Sequence, residues 1–516
     1  MQAMIGGFSY NEALQPVFVS GIWTTAYAEA LPDLNAVIEI ADADGFAFQG
    51  GSARVMKSYI LTTLVDLFGD VPMSEAFQGA ANSNPISDGG DVVYQAALDL
   101  LNEATDILGG DVTSTPPFDN FYDGDVAGWI GAANALKIRL LNNRRLVDPG
   151  AGAAIAAIVA SGDLITDNSG DFEWKFSSDR TNFTEVTNPF RVESRHPLYA
   201  DSYEASDGDY MSNYYMWLLI DEKGMEDPRL RYYFYRQNLD LVALAEDPDI
   251  FDCVLASTPF DPIPAGQFDH YIEVDPDLPF CVASANGYFG RDHGNGGGIP
   301  PDGNERTYYG LYPAGGSWDN NAAVDAQNDG ENGALGEGIS PIMLNSFLSF
   351  IRAEAALTAG TGEDARALLE EGVRASISKV LATPIPSDEL NAVIGVDPIT
   401  GEEILASVLI PTDSIVDAYV AVVLNNFDNS GDQLDVVMKE YYIAAWGNSL
   451  ETYNLYRRTG RPNNMPPLID PNAAANADFP RSSFYPANFV ELNENANQRE
   501  FTEQVFWDNN PPGFIE

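Results

Sequence analysis

The sequence predicts a mainly α-helical protein, and three observations carry that expectation. Apolar residues recur at helical spacing in the first and last thirds of the 516-residue chain. The periodic stretches start on capping residues and stop on glycines, the punctuation expected of helices. Between them, residues 165–336 lose all long periodicity and fill with Asp, Asn, Gly, Pro, Tyr and Phe. The expected organisation is a discontinuous helical scaffold, 1–164 and 337–516, flanking a loop-rich, ligand-binding insertion with short strands, 165–336.

The elements follow in order. From Ala53 to Phe68 the apolar set Val55, Met56, Tyr59, Ile60, Leu64, Leu67 and Phe68 fits a 3.6-residue period, and Gly69 stops the helix. Further helices are predicted over Val92–Leu108, Val126–Leu146 and Ala151–Val159. Inside the insertion Trp174 alternates as in a strand, and Tyr232–Tyr235 reads as another short strand. Ser340 is a good N-cap with Pro341 at the favoured first position, so a helix is expected there, closing at Gly360. A partner over Glu363–Val380 makes a helical hairpin of the tetratricopeptide kind. Helices at 412–426, 432–447 and 449–459 complete the set. No clean 34-residue repeat is visible, so periodicity by itself supports a helical scaffold and not a named solenoid.

Composition narrows the function. With 77 acidic and 26 basic residues the net charge is −51. That field repels nucleic acid, anionic headgroups and polyanionic glycans, so a neutral ligand is expected and nucleic acid is not. The simpler role of the acidity, a hydrated and soluble surface, is the favoured one. No apolar run approaches the roughly 20 residues of a membrane-spanning helix. Met1–Gly7 has neither a basic nor an apolar signal region, which leaves a cytosolic protein or one whose leader has been removed. Cys253 and Cys281 are the two cysteines, either a disulfide or two small buried residues.

Catalytic signals are sparse. His196, His270 and His293 are scattered, with no metal-ligand pair at helical spacing. Nucleophile-elbow, phosphate-loop and Cys–His signatures are missing. Arg291-Asp292-His293 reads as a structural cluster, because consecutive residues cannot easily converge on one atom. No cofactor is called for. Calcium stays open at the Asp-rich loops Asp42–Gly45, Asp325–Glu331 and Asp428–Asp435, although none follows the full EF-hand register.

The stretch Gly290–Gly303, followed by Tyr308-Tyr309-Gly310-Leu311-Tyr312-Pro313-Ala314-Gly315-Gly316, is the most informative. Glycine allows close backbone approach and proline stiffens turns, so aromatics there are held in place. Sugar rings stack on such aromatics. Trp318, in a polar setting, is expected at a ligand surface with Tyr312 and Tyr309, although the tyrosines also suit packing of the loop itself. Trp174 suits either role, whereas Trp129 and Trp446 lie at apolar helical positions and belong to the core.

The RDHGNGG…PPDG…YYGLYPAGG pattern resembles a subgroup of the SusD/RagB family. Similar segments recur in order: RVMKSYILTTLVDLFGDVP from Arg54, the Trp129–Leu140 helix, Ala353-Glu354-Ala355, TYNLYRRTGRP from Thr452, and Phe479-Pro480-Arg481. The resemblance implies a SusD-like fold with four tetratricopeptide-like hairpins. It implies a surface-exposed outer-membrane lipoprotein that is not an enzyme and captures oligosaccharides for a SusC-like TonB-dependent transporter. Its signal and lipid-bearing cysteine are expected upstream, since no cysteine precedes Cys253. It also adds Phe77 and Asn82, after the G-D-V-P turn, as ligand-contact candidates meeting the Trp318 group on one face. Peptide capture, as in RagB-like members, and a secreted glycoside hydrolase are the alternatives.

Overall fold

The structure, a computed structural model, describes residues 9–10, 14–179, 194–204, 210–237, 239, 269–279, 287–295, 306–321, 330–476 and 478–515. Helix α1 (Ser20–Thr24) runs through a π-helical turn into α2 (Leu31–Asp44). Periodicity gave no sign of α2, because only Leu31, Leu34 and Ala41 bury from it. Helix α3 (Ala47–Phe68) starts six residues ahead of expectation, on a stretch of small residues. Its Gly51 lies where an added Cβ would sit 2.5 Å from Leu108, so glycine sets the distance to α4 (Gly90–Leu108). The stop at Gly69 has φ +77°, and a Cβ there would overlap the Arg499 guanidinium at 1.8 Å. Helix α5 (Val126–Arg144) starts on an Asp125 cap and is buried almost all round, and α6 (Ala151–Ser161) packs beside it.

The insertion opens with β1 (Phe172–Lys175) and continues through α7 (Pro197–Tyr203), α8 (Asn213–Ile220) and α9 (Leu230–Tyr233). Next come β2 (Phe234–Tyr235), α10 (Asp269–Val274), β3 (Tyr308–Tyr309) and β4 (Ile339–Met343). The Tyr232–Tyr235 strand is thus half helix and half strand. The helix expected at Ser340 is corrected too: β4 pairs antiparallel with β1, placing Trp174 opposite Ser340 and Lys175 opposite Ile339. Pro341 is tolerated because a two-stranded ribbon leaves one edge without a partner.

Helix α11 (Asn345–Thr358) therefore begins only at Asn345, whose backbone N–H is held by the Asp171 carboxylate at 2.7 Å. It pairs with α12 (Ala365–Leu381), capped by Asp364. After α13 (Ser387–Leu390) and the hairpin of β5 (Val393–Val396) and β6 (Glu403–Leu405), α14 (Asp413–Asn429) pairs with α15 (Gln433–Ala444). Helix α16 (Ser449–Thr459) matches its expected span. The short α17 (Pro471–Ala474) and α18 (Ala487–Leu492) follow. Among the described residues consecutive helices pack in the pairs α3–α4, α5–α6, α11–α12 and α14–α15, and α2 packs on α3. One stretch, Ala406–Asn429, does reach the length and hydropathy of a membrane span, contrary to expectation. It is not one continuous helix, since a short helical turn at Ala406–Leu409 precedes α14, and only 22% of its most apolar window is buried, through Tyr419, Val420, Val423, Leu424 and Phe427.

Among the described residues, the two largest hydrophobic clusters organise these elements. One joins the four helix pairs. The other gathers the insertion's aromatics around Trp446 and takes Val380 from α12 with Tyr442 and Ile443 from α15. The helical core is pinned by a buried carboxylate. Asp66 on α3 accepts from Arg139 on α5 (2.9 Å), Asn454 on α16 (2.8 Å), the Trp507 indole (2.9 Å) and the Tyr94 hydroxyl on α4. Arg139 also pairs with Glu451. Removing one member of a buried ion pair strands the other charge. Asp66→Ala should therefore cost about 3–5 kcal/mol in urea unfolding, and a change under 1 kcal/mol would show that the network is dispensable.

Candidate functional site

The glycine-rich segment is a wall packed backbone against backbone. A Cβ at Gly315 would meet the Glu337 amide nitrogen at 2.5 Å, one at Gly333 would meet Gly316 at 2.3 Å, and one at Gly338 would meet the Pro313 carbonyl at 2.1 Å. Only glycine lets the 310–316 loop lie this close to 333–338. The aromatics it carries turn inward. Tyr312 stacks on Tyr233 at 5.7 Å and 23°, Tyr309 lies 5.3 Å from Trp446, and Trp446 donates its indole N–H to the Tyr312 carbonyl.

Trp318 is fully buried, 6.1 Å from the Tyr232 ring, with its backbone N–H donated to Glu389 at 2.9 Å. The expected exposed stacking surface at Trp318, with Tyr309 and Tyr312, is therefore corrected. Polar sequence neighbours misled, because Asp319 is itself buried, holding Arg236 at 2.6 Å and the Tyr288 hydroxyl at 2.9 Å. Tyr312 keeps one edge on a cavity described below. Arg291-Asp292-His293 is structural: Arg291 lies over Tyr210, Asp292 accepts from Asn213, and His293 bonds Tyr10. Burial pushes His196 and His293 down to about 4, so both rings are neutral near neutral pH.

The remaining candidates are more open. Phe77 is 44% exposed at φ +66°, a conformation that costs a bulky residue energy. Its ring stacks on Tyr27 at 6.1 Å and 27°, and Tyr27 is anchored by its hydroxyl to the Pro72 carbonyl. The Asp88 carboxylate holds the 70–89 loop by accepting from the Met73 and Ser74 amides and the Ser74 hydroxyl. Against the opposing effect of burial, these bonds keep Asp88 below the usual carboxylate range. Asn82 is half-buried, donates to Glu75 at 3.0 Å and accepts from the Asn84 amide, so it braces the loop. Asn493, Glu494 and Asn495 staple that loop from the other side.

Trp174 is 38% exposed on β1, edge-on to Phe121 at 5.6 Å. The structure seats the candidates in three places: Trp318, Tyr309 and Tyr312 in the insertion's core, Phe77 and Asn82 on the 70–89 loop, and Trp174 on the ribbon. Tyr27 and the 493–495 staple escaped sequence reasoning: Tyr27 lies in the π-helical turn, and the Asn-rich turn at 493–495 gives no local sign of which loop it reaches. Among the described residues no group of three or more His, Cys, Asp or Glu is gathered to hold a metal. Asp42 and Asp428 pair with Arg54 and Arg366. Cys253, Cys281, residues 296–305 and 325–329 lie outside the described residues.

Two family models match the chain: one described as "Starch-binding associating with outer membrane" over residues 6–244, the other as "Susd and RagB outer membrane lipoprotein" over 319–505. Solved structures share the fold. A chitin-binding protein is 20% identical with TM-score 0.65, covering 96% of this chain and 88% of its own. A chitin-binding SusD homologue from Flavobacterium johnsoniae is 17% identical with TM-score 0.63, at 98% and 90% coverage. A SusD/RagB family protein from Bacteroides thetaiotaomicron is 17% identical with TM-score 0.64, at 97% and 90% coverage. No curated protein sequence matches. The chain belongs to the SusD/RagB family.

Two outcomes test the corrected site. Trp318→Ala should destabilise the fold by about 3–5 kcal/mol in chemical unfolding, as for other buried Trp truncations; an unchanged midpoint would return Trp318 to the surface. Glu389, which holds Trp318, is raised to about 7 by burial, opposed by its hydrogen bonds. The folded state then binds a proton, between the ordinary value of 4.5 and about 7, that the unfolded chain has released, so stability falls as pH rises through that window. Glu389→Gln should gain about 1–3 kcal/mol over wild type at pH 8 and nothing at pH 4, read from paired unfolding curves.

Proposed function

We propose that this protein is a non-catalytic glycan-binding protein of the cell surface, capturing neutral oligosaccharides for import. The observation that carries the reading is Phe77: an exposed ring in a strained backbone conformation, backed by Tyr27 and set in a loop of Asn, Ser and Glu. A flat apolar face with polar groups beside it suits a pyranose, whose C–H face stacks while its hydroxyls hydrogen-bond. Strain held by a braced loop is a mark of preorganised binding surfaces. The net charge of −51 favours neutral over polyanionic glycans.

Family membership supports the finer reading, in which a lipid anchor holds the protein at the outer membrane beside a SusC-like TonB-dependent transporter. Buried carboxylates such as Asp66, Glu354 and Asp319 are committed to arginines, which supports binding without hydrolysis. The reading invokes no cofactor. Because two of the solved relatives are described as chitin-binding, chito-oligosaccharides are the first ligands to test.

Migration in gels containing glycol chitin or other neutral polysaccharides should be retarded, with no reducing sugar released. Phe77→Ala should weaken binding by on the order of 1–3 kcal/mol, roughly ten- to a hundred-fold, with thermal melting unchanged. Hydrolysis lost on mutating a carboxylate pair would make the protein an enzyme instead. Binding of peptides and of no glycan would favour the RagB-like alternative.

A further inference from the structure

The wall built by the glycine-rich segment encloses a cavity of about 350 Å³ between β1, β4 and the C-terminal end of α12. That volume lies within the roughly 300–1,000 Å³ of small-molecule sites. Its floor is apolar, with Phe176, Leu311, Pro313 and an edge of Tyr312. Strand β1 sends its side chains two ways. Phe172 and Trp174 face Phe121, whereas Glu173 meets Lys379 and Lys175 joins Lys379 in the cavity lining. Lys379 is occupied by Asp171 at 3.0 Å and Glu173 at 2.6 Å.

Lys175 is not occupied. Three cations are exposed among the described residues: Lys175, Arg366 and Arg374. Both arginines are ion-paired, whereas Lys175 has no carboxylate partner among the described residues. Glu337, in the same lining, is likewise exposed and has no cationic partner among the described residues. Thr383 adds a hydroxyl to the lining. An apolar floor thus carries one free cationic donor, one free anionic acceptor and one hydroxyl, with no net charge among them.

We infer that this cavity is a second saccharide subsite, separate from the Phe77 loop, that seats a ring of a neutral oligosaccharide. The inference rests on the glycan-binding reading above. The ring's apolar face lies on Phe176 and Pro313, and its hydroxyls donate to Glu337 and accept from Lys175. The wall is locked by the close approaches at Gly315, Gly333 and Gly338, so seating a ring orders little of the protein.

Calorimetry with chitohexaose and maltohexaose tests it on wild type, Phe77→Ala, Ala382→Trp and the double variant Lys175→Ala/Glu337→Ala. Ala382 is an exposed residue of the lining, so tryptophan there fills the cavity without entering a core. Ala382→Trp should weaken binding of the sugar that wild type accepts by about ten-fold, and the double variant by at least three-fold. Melting temperatures should hold. Should Ala382→Trp fail to fold, the double variant alone decides. Binding that weakens in Phe77→Ala but stays within two-fold in the cavity variants overturns this inference and leaves the glycan reading standing. Failure of wild type to bind any neutral glycan overturns both. A dipeptide probe, alanyl-leucine, that binds wild type and is lost in the double variant would assign the cavity to a zwitterion and overturn the saccharide assignment.

Discussion

The Asp66 carboxylate is the constraint on which the rest of the scaffold depends. It sits on α3 with no solvent exposure and receives donors from α4, α5, α16 and Trp507, residues up to 441 positions away. A buried charge is costly unless its surroundings supply every hydrogen bond, so the first and last thirds must close on each other for Asp66 to be tolerated. Glu354 repeats the device, paired with Arg145 from the end of α5 and Arg458 on α16. A third node joins Asp227 in the insertion to Arg229, which reaches Ser376 on α12 and Glu440 on α15. The insertion is therefore bonded to the scaffold through ionic contacts as well as through the core around Trp446.

These nodes have a consequence for the surface. Ten arginines are buried among the described residues: Arg54, Arg139, Arg195, Arg229, Arg291, Arg306, Arg457, Arg458, Arg481 and Arg499. Eleven carboxylates and Lys137 are buried with them, so the described interior is balanced and the chain's net charge of −51 falls on its exterior. An acidic exterior repels other anions and keeps the protein soluble. On such a surface Lys175, exposed and unpaired, stands out more than a lysine would elsewhere.

Most of the helical scaffold was legible in the sequence, since a 3.6-residue apolar period, an Asp cap and a glycine stop each have a local physical cause. Helix α16 needed nothing else. The failures are equally physical. Ser340-Pro341 carries a local helix-start signal, yet β1 supplies a pairing edge, with Trp174 opposite Ser340, and the long-range ladder wins. Helix α2 hides because a helix touching the core through three residues shows almost no period. At the site, Phe77 was legible only through the family's turn. Trp318 misread because Gly, Ser, Asp and Asn look like a wet loop, whereas here the glycines permit dry backbone packing and Asp319 is neutralised by arginine.

That misreading exposes what glycine does in this fold. In Gly310–Gly316 it removes freedom, because each missing side chain is replaced by a neighbouring strand of backbone at contact distance. A wall so packed can hold Tyr312 and Pro313 in one orientation, and a site with fixed walls loses little entropy when a ligand enters. The Phe77 loop reaches the same end by another route, holding a residue at φ +66° with hydrogen bonds to Asp88 and Glu75 instead of with close packing. Rigid walls of both kinds suit the capture of weakly hydrophobic, well-hydrated ligands. Such ligands offer little apolar area to bury, so affinity has to come from surfaces already in place.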